Sequence, residues 1–258
     1  MRRTLIACSR VCREWRDRSQ MHLSEPIQVP YEELISLSHN LERDRCTSSS
    51  IRGLTIVKKS GTTPIFLFTI QNRLLHLDYL RIDELDLTRE HRWLHRASLF
   101  RSVREIKLCR LQPCRLSQLI RFINAFPSLS NLSLSNFAFE KLEYEGQRLS
   151  KPCQTNTRSL TSLQLQLVPG VSRLIDWFIK AKPFLTQLKV LILYAWNIED
   201  KDEVQSSFEG VERLLACCRG SVEDLRLQLD HVPMVEHVSD LCACALFKSD
   251  LYHTHTYF

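Results

Sequence analysis

The sequence predicts an α/β fold built as a solenoid of stacked strand–helix units, and three observations carry that prediction. An apolar pattern recurs along most of the chain at a nearly constant interval. Helical spacing fills several of the gaps between its occurrences. Glycine is scarce, at six residues in 258, which disfavours tight-turned all-β folds and phosphate-cradling loops because both rely on residues that accept positive φ.

The recurring pattern is apolar-x-x-apolar-x-apolar. It occurs as Ile51/Leu54/Ile56, Leu77/Leu80/Ile82, Val103/Ile106/Leu108, Leu129/Leu132/Leu134, Leu160/Leu163/Leu165, Leu188/Leu191/Leu193 and Val222/Leu225/Leu227. Successive starts lie 26, 26, 26, 31, 28 and 34 residues apart. In six of the seven units a polar residue separates the last two apolar positions, Ile192 being the exception, as in a short strand with one buried face. Such a strand cannot bury its inner face alone, so the units have to stack. A competing frame for the second unit, Ile82/Leu85/Leu87, is set aside because it breaks the constant interval.

Between strands, Leu116, Leu119, Ile120 and Ile123 keep the i, i+3, i+4, i+7 spacing of a helix with one apolar face. Val171, Leu174, Ile175, Phe178 and Ile179 do the same, as do Val204, Phe208, Val211 and Leu215. Each unit is therefore a strand and a returning helix. The pattern resembles leucine-rich repeats over residues 50–232, and the resemblance implies a curved parallel sheet. One departure is clear. The family's Asn or Cys after the strand is replaced by Lys59, Leu85, Leu111, Phe137, Val168, Trp196 and Asp230, so the turns must satisfy their backbone groups without an asparagine ladder.

The opening segment places Leu5, Cys8, Val11, Cys12 and Trp15 on what reads as one helical face. Its wording, L-x-x-C-S-x-V-C-R-x-W, resembles the second half of an F-box, here of the fungal type with a leucine-rich-repeat-like region behind it. The resemblance implies that Trp15 packs inside a helical module and that these five residues face a Skp-type adaptor of a cullin–RING ubiquitin ligase. An F-box normally begins with a Leu-Pro segment and a first helix. The sequence opens inside the later helices, so an in-frame Leu-Pro helix is expected upstream and adaptor binding is expected to be weak or lost without it.

The expected organisation is a partial F-box at 1–24, a linker and helix at 25–50, about seven repeats at 51–241 and an irregular tail at 242–258. The linker is proline-flanked at 25–30 and leads to a helix carrying Tyr31, Leu34, Ile35 and Leu41. A polar loop at 141–157 accounts for the long fourth interval.

The formal net charge is +6, and direct count places four of those charges in the first 24 residues, from Arg2, Arg3, Arg10, Arg13, Arg16 and Arg18 against Glu14 and Asp17. The rest is only weakly basic, so a nucleic-acid partner is not expected. No apolar run reaches the roughly eighteen residues of a spanning helix and no secretory signal opens the chain, so no membrane partner is expected and the cytosol or nucleus is the expected compartment. The ten cysteines are irregularly spaced and read mostly as free core thiols.

No short phosphate, zincin, hydrolase or dinucleotide signature occurs, and no catalytic residue, cofactor or metal site is expected. The best metal candidates, Cys242, Cys244, His253 and His255, have one-residue spacings unlike zinc sites. Adjacent Cys217 and Cys218 lack redox spacing, and His76, His91 and His95 stand alone among arginines. An enzyme without a short signature is the least favoured reading.

Strand alternation turns the residues between the buried ones outward, and these are the candidate target-binding face: Arg81, Asp83, Lys107, Gln164, Gln166, Ile192, Tyr194, Arg226 and Gln228, with Thr55, Ser133 and Ser135 alongside. Tyr194 and Arg226 have the composition enriched at interface hot spots. The target itself is unknown. The role expected from the resemblance is substrate receptor of a Skp–cullin–F-box ligase. The alternative is a free-standing interaction scaffold.

Overall fold

The structure, a computed structural model, describes residues 2–8, 10–43, 50–57, 70, 73–87, 100–112, 114–139, 159–168, 170–181, 184–196, 201–218 and 220–230. Among the described residues eight strands form one sheet: β1 (Ile27–Pro30), β2 (Gly53–Val57), β3 (Tyr79–Asp83), β4 (Glu105–Cys109), β5 (Asn131–Ser135), β6 (Ser162–Leu167), β7 (Val190–Trp196) and β8 (Asp224–Asp230). Every neighbouring pair is parallel, and the order across the sheet is the order along the chain.

The register aligns the apolar pattern. Leu54, Leu80, Ile106, Leu132, Leu163, Leu191 and Leu225 stand side by side, and Ile56, Ile82, Leu108, Leu134, Leu165, Leu193 and Leu227 form a second row two residues on. All are buried except Leu227, which is partly so. β3 pairs through Leu80 and Ile82, the frame that the constant interval favoured. Leu85 and Leu87 lie beyond its end, buried.

Among the described residues, helices lie in four of the seven connections between strands. α3 (Leu34–Arg43) joins β1 to β2, α4 (Leu116–Asn124) lies between β4 and β5, α5 (Val171–Lys180) between β6 and β7, and α6 (Lys201–Cys217) between β7 and β8. The last three are the segments with helical spacing, and Leu116 to Ile123, Val171 to Phe178 and Phe208 to Leu215 supply apolar residues to the core of the strand leucines. Local signals set the helix starts. Gln118 accepts the Arg115 N–H at 2.9 Å, the reciprocal half of a capping box. Gly170 precedes α5 at φ 78°, a conformation that costs a side-chain-bearing residue about 1 kcal/mol or more. The Arg73 guanidinium bonds the carbonyl and hydroxyl of Ser38 and the carboxylate of Glu42, tying α3 to the segment before β3.

At the strand starts the backbone forms a ladder of its own. The carbonyls of Arg52, Asp78, Arg104, Ser130, Thr161 and Lys189 each accept two N–H groups from the start of the next strand, at 2.7–3.2 Å. These six positions repeat the spacing of the apolar pattern. After the strands, Glu84, Arg110 and Asn136 adopt left-handed φ of 62°, 55° and 49°. In that geometry Glu84 and Arg110 donate their N–H to the carbonyls of Cys109 and Ser135, and Asn136 donates to the Gln166 side chain. The next slots, Leu85, Leu111, Phe137 and Val168, are buried and plug the turn with apolar bulk. Because Asn136 alone of the three makes no side-chain ion pair, Asn136→Gly is expected to raise stability by about 0.5–1 kcal/mol. Chemical denaturation of the variant checks it.

Two expectations need correction. The segment at 25–30, read as a linker, forms β1 and pairs with β2. A Cβ at Gly53 would lie 3.0 Å from the Pro26 backbone, so the absence of a side chain there lets the entry to β1 pack closely. The expected single helical face at the start is broken. α1 (Arg2–Cys8) and α2 (Arg13–Ser24) are separate, with Cys12 extended at φ −153° and ψ 171°. Leu5 and Cys8 are half-buried, whereas Val11, Cys12 and Trp15 are exposed, Trp15 to 53%. Trp15 is therefore not a packed ring, and Trp15→Ala is expected to cost about 1 kcal/mol or less rather than the roughly 3–5 kcal/mol of a buried aromatic. Comparative thermal melts read the difference.

Ile35, counted with the apolar face of α3, is also exposed. Of the described cysteines only Cys114 and Cys218 are buried, while Cys8 and Cys109 are half-buried and Cys12 and Cys217 exposed, so core thiols are the minority among them. Burial pushes the Cys218 thiol up to about 12 from 9.0, with a smaller contribution from Cys217. The folded state holds that proton more tightly than the unfolded state, so the associated stability is complete below pH 9 and is lost as pH rises toward 12. The melting temperature is expected to fall across that alkaline window, less so in Cys218→Ser. At neutral pH a thiol reagent should modify Cys217 well before Cys218, as peptide mapping would show.

Candidate functional site

The sheet's second face carries the residues that alternation turned away from the leucines. Register places Thr55, Arg81, Lys107, Ser133, Gln164, Ile192 and Arg226 in one row, and Gln166, Tyr194 and Gln228 pair across β6, β7 and β8 in the row beyond. Asp83 pairs with Cys109 and Cys109 with Ser135 in the same outer row of β3 to β5. All nine candidate residues thus share one face. Most are half-exposed and Arg226 is exposed, while Asp83 and Ser133 are buried at 8%. The burial of Asp83 has a cause: Arg81 Nε lies 3.0 Å and Arg110 Nη2 3.7 Å from its carboxylate and cover it.

A further row, Gly53, Tyr79, Glu105, Asn131, Ser162, Val190 and Asp224, belongs to the same face and escaped the sequence reading. Stepping two residues back from each outward position would have found it. Lys107 Nζ sits 5.4 Å from the centre of the Tyr79 ring and 3.2 Å from Glu105. Burial pushes the Tyr79 hydroxyl above its ordinary pKa, and the charges of Lys107 and Arg81 oppose that push. The hydrogen bond to Asp83 raises the Arg81 pKa, and that to Asp224, 2.8 Å away, raises the Arg226 pKa. Arg110 completes the set with Glu84 at 3.5 Å.

Each of these four cations is therefore paired with an anion on the same face or its rim. β5 to β7 are different. Their outward residues include no Asp, Glu, Lys or Arg. Gln164 Nε2 donates to the Tyr194 hydroxyl at 3.0 Å, Gln166 Oε1 accepts from the Asn136 N–H, and Thr161 Oγ1 donates to Asn131 Oδ1 at 2.9 Å. The arrangement offers hydrogen bonds and aliphatic surface, with charge on the flanking strands β3, β4 and β8.

The topology bears on chemistry as well. Ligand crevices in open parallel sheets form where the strand order reverses, and here the order runs without reversal from β1 to β8. Among the described residues no group of His, Cys, Asp or Glu could hold a metal ion. Cys242, Cys244, His253 and His255 lie outside the described residues, as do His91, His95 and the 141–157 loop. His76 is exposed. No helix among the described residues is long and apolar enough to cross a membrane. Compared with protein-family models and with curated proteins, the chain matches none.

Proposed function

We propose that the chain is a substrate-recognition subunit of a Skp–cullin–F-box type ubiquitin ligase, with α1 and α2 facing the adaptor and the outward sheet face holding a target protein. One observation carries the reading. A helical pair that leaves Val11 and Trp15 in solvent stands directly before an eight-stranded sheet whose second face bears a continuous, half-exposed array of side chains. Isolated exposed apolar residues are common, but an exposed tryptophan and an exposed valine four residues apart in sequence leave apolar area in water, and a partner that covers both recovers it. In this reading the repeats are leucine-rich-repeat-like units of a curved solenoid.

The test is co-purification of the tagged chain with a Skp-type adaptor, after cross-linking so that weak binding is retained. Adaptor recovery that falls in a Val11→Asp, Trp15→Ala variant of unchanged melting temperature supports the ligase assignment. A second reading, a free-standing interaction scaffold, is favoured by the break at Cys12, which puts Leu5 and Cys8 on one helix and Trp15 on another where one face was expected. Adaptor recovery indistinguishable from background selects it.

A further inference from the structure

We propose that the outward face of β5 to β7 binds an extended, uncharged segment of the target, reading its backbone or amide groups by hydrogen bonds and an aliphatic side chain by contact. The proposal rests on the receptor reading above and adds the chemistry of what is received.

A face that recognises a charged segment needs an unsatisfied opposite charge. The cations of β3, β4 and β8 are each held by a neighbouring carboxylate at 2.8–3.2 Å, and the intervening three strands present none. A charged segment laid there would lose hydration without gaining a partner, at a cost that selects against it.

Because Gln164 donates through Nε2 to Tyr194, its Oε1 remains an acceptor and the tyrosine O–H a donor. Gln166 receives the Asn136 N–H on Oε1, which leaves its Nε2 as a donor. Two donors, on Gln166 and Tyr194, thus face each other across β6 and β7, with the Gln164 acceptor two residues along β6. An extended backbone presents both carbonyl and N–H groups to meet them. Holding these side chains in place beforehand lowers the entropy lost on binding. Val190 and Ile192, half-exposed beside them, supply the aliphatic contact.

The probe is a display library of random peptides panned on the full chain, followed by polarisation titrations of the selected peptides. The selected sequences are expected to be depleted in Asp, Glu, Lys and Arg relative to the library. Their affinity should change by less than about twofold between low and high salt. Tyr194→Phe and Gln164→Glu, near-isosteric at half-exposed positions, should each weaken binding on the order of tenfold. Selected peptides that are charged and salt-sensitive, yet lost in both variants, would overturn this inference while leaving the face a receptor surface. No selected peptide, or peptides bound equally by wild type and both variants, would overturn the receptor reading of the face as well.

Discussion

Leu163→Asp is expected to abolish cooperative folding of the sheet. Leu163 is fully buried and stands between Leu132 and Leu191 in the apolar row. A carboxylate there would have leucines as its row neighbours, and a buried, unpaired charge costs several kcal/mol, comparable to the whole stability of many domains. Because each strand buries its inner face only against adjacent units, the loss spreads to β5 and β7. Leu132→Asp, 2% exposed, should act in the same way one strand earlier. Urea unfolding followed by circular dichroism checks both, and cooperative transitions with unchanged midpoints in both variants would remove the stacked-unit account.

The second large effect is expected at Trp177, on the buried face of α5. The ring is 1% exposed and lies 5.0 Å from Phe178 and 5.4 Å from Phe184, centre to centre. Trp177→Ala should cost about 3–5 kcal/mol from lost burial and the cavity left behind. The indole N–H has no hydrogen-bond partner among the described residues, so deleting it forfeits no bond seen there. Trp177→Phe is therefore expected to retain much of what alanine loses. Equal losses in the two variants would show that a phenyl ring cannot fill the space the indole occupies.

How much of this was legible depends on whether the information sits in side chains or in backbone. The rows Leu54 to Leu225 and Ile56 to Leu227 were readable because burial on one face of a strand forces apolar residues at every second position, and the near-constant interval fixed the frame at Leu80/Ile82. β1 was not, because Ser24 occupies the slot that Ile51 and its counterparts fill, and Pro26 and Pro30 carry the signature of a linker. The pattern nevertheless continues through Ile27 and Val29, which pair with Leu54 and Ile56. The carbonyl ladder from Arg52 to Lys189 had no sequence signature, since any residue supplies a carbonyl.

The outward face was legible in position but not in character. Arg81, Lys107 and Arg226 read as charges offered to a partner, and the structure gives each an anion of its own. The signal was present as opposite charges two apart on one strand, Arg81 with Asp83, Glu105 with Lys107 and Asp224 with Arg226, which alternation brings to the same side. The break between α1 and α2 had no such warning. The apolar spacing from Leu5 to Trp15 suits one helix, and neither glycine nor proline marks Cys12 as its end.

The central claim, that the outward sheet face receives a target protein, is tested most directly by proximity labelling in cells, comparing wild type with a Tyr194→Ala, Arg226→Ala double variant of unchanged melting behaviour. The account predicts that specific neighbours labelled by the wild type are lost or sharply reduced in the double variant while any adaptor signal persists. An identical set of labelled neighbours in the two would contradict it.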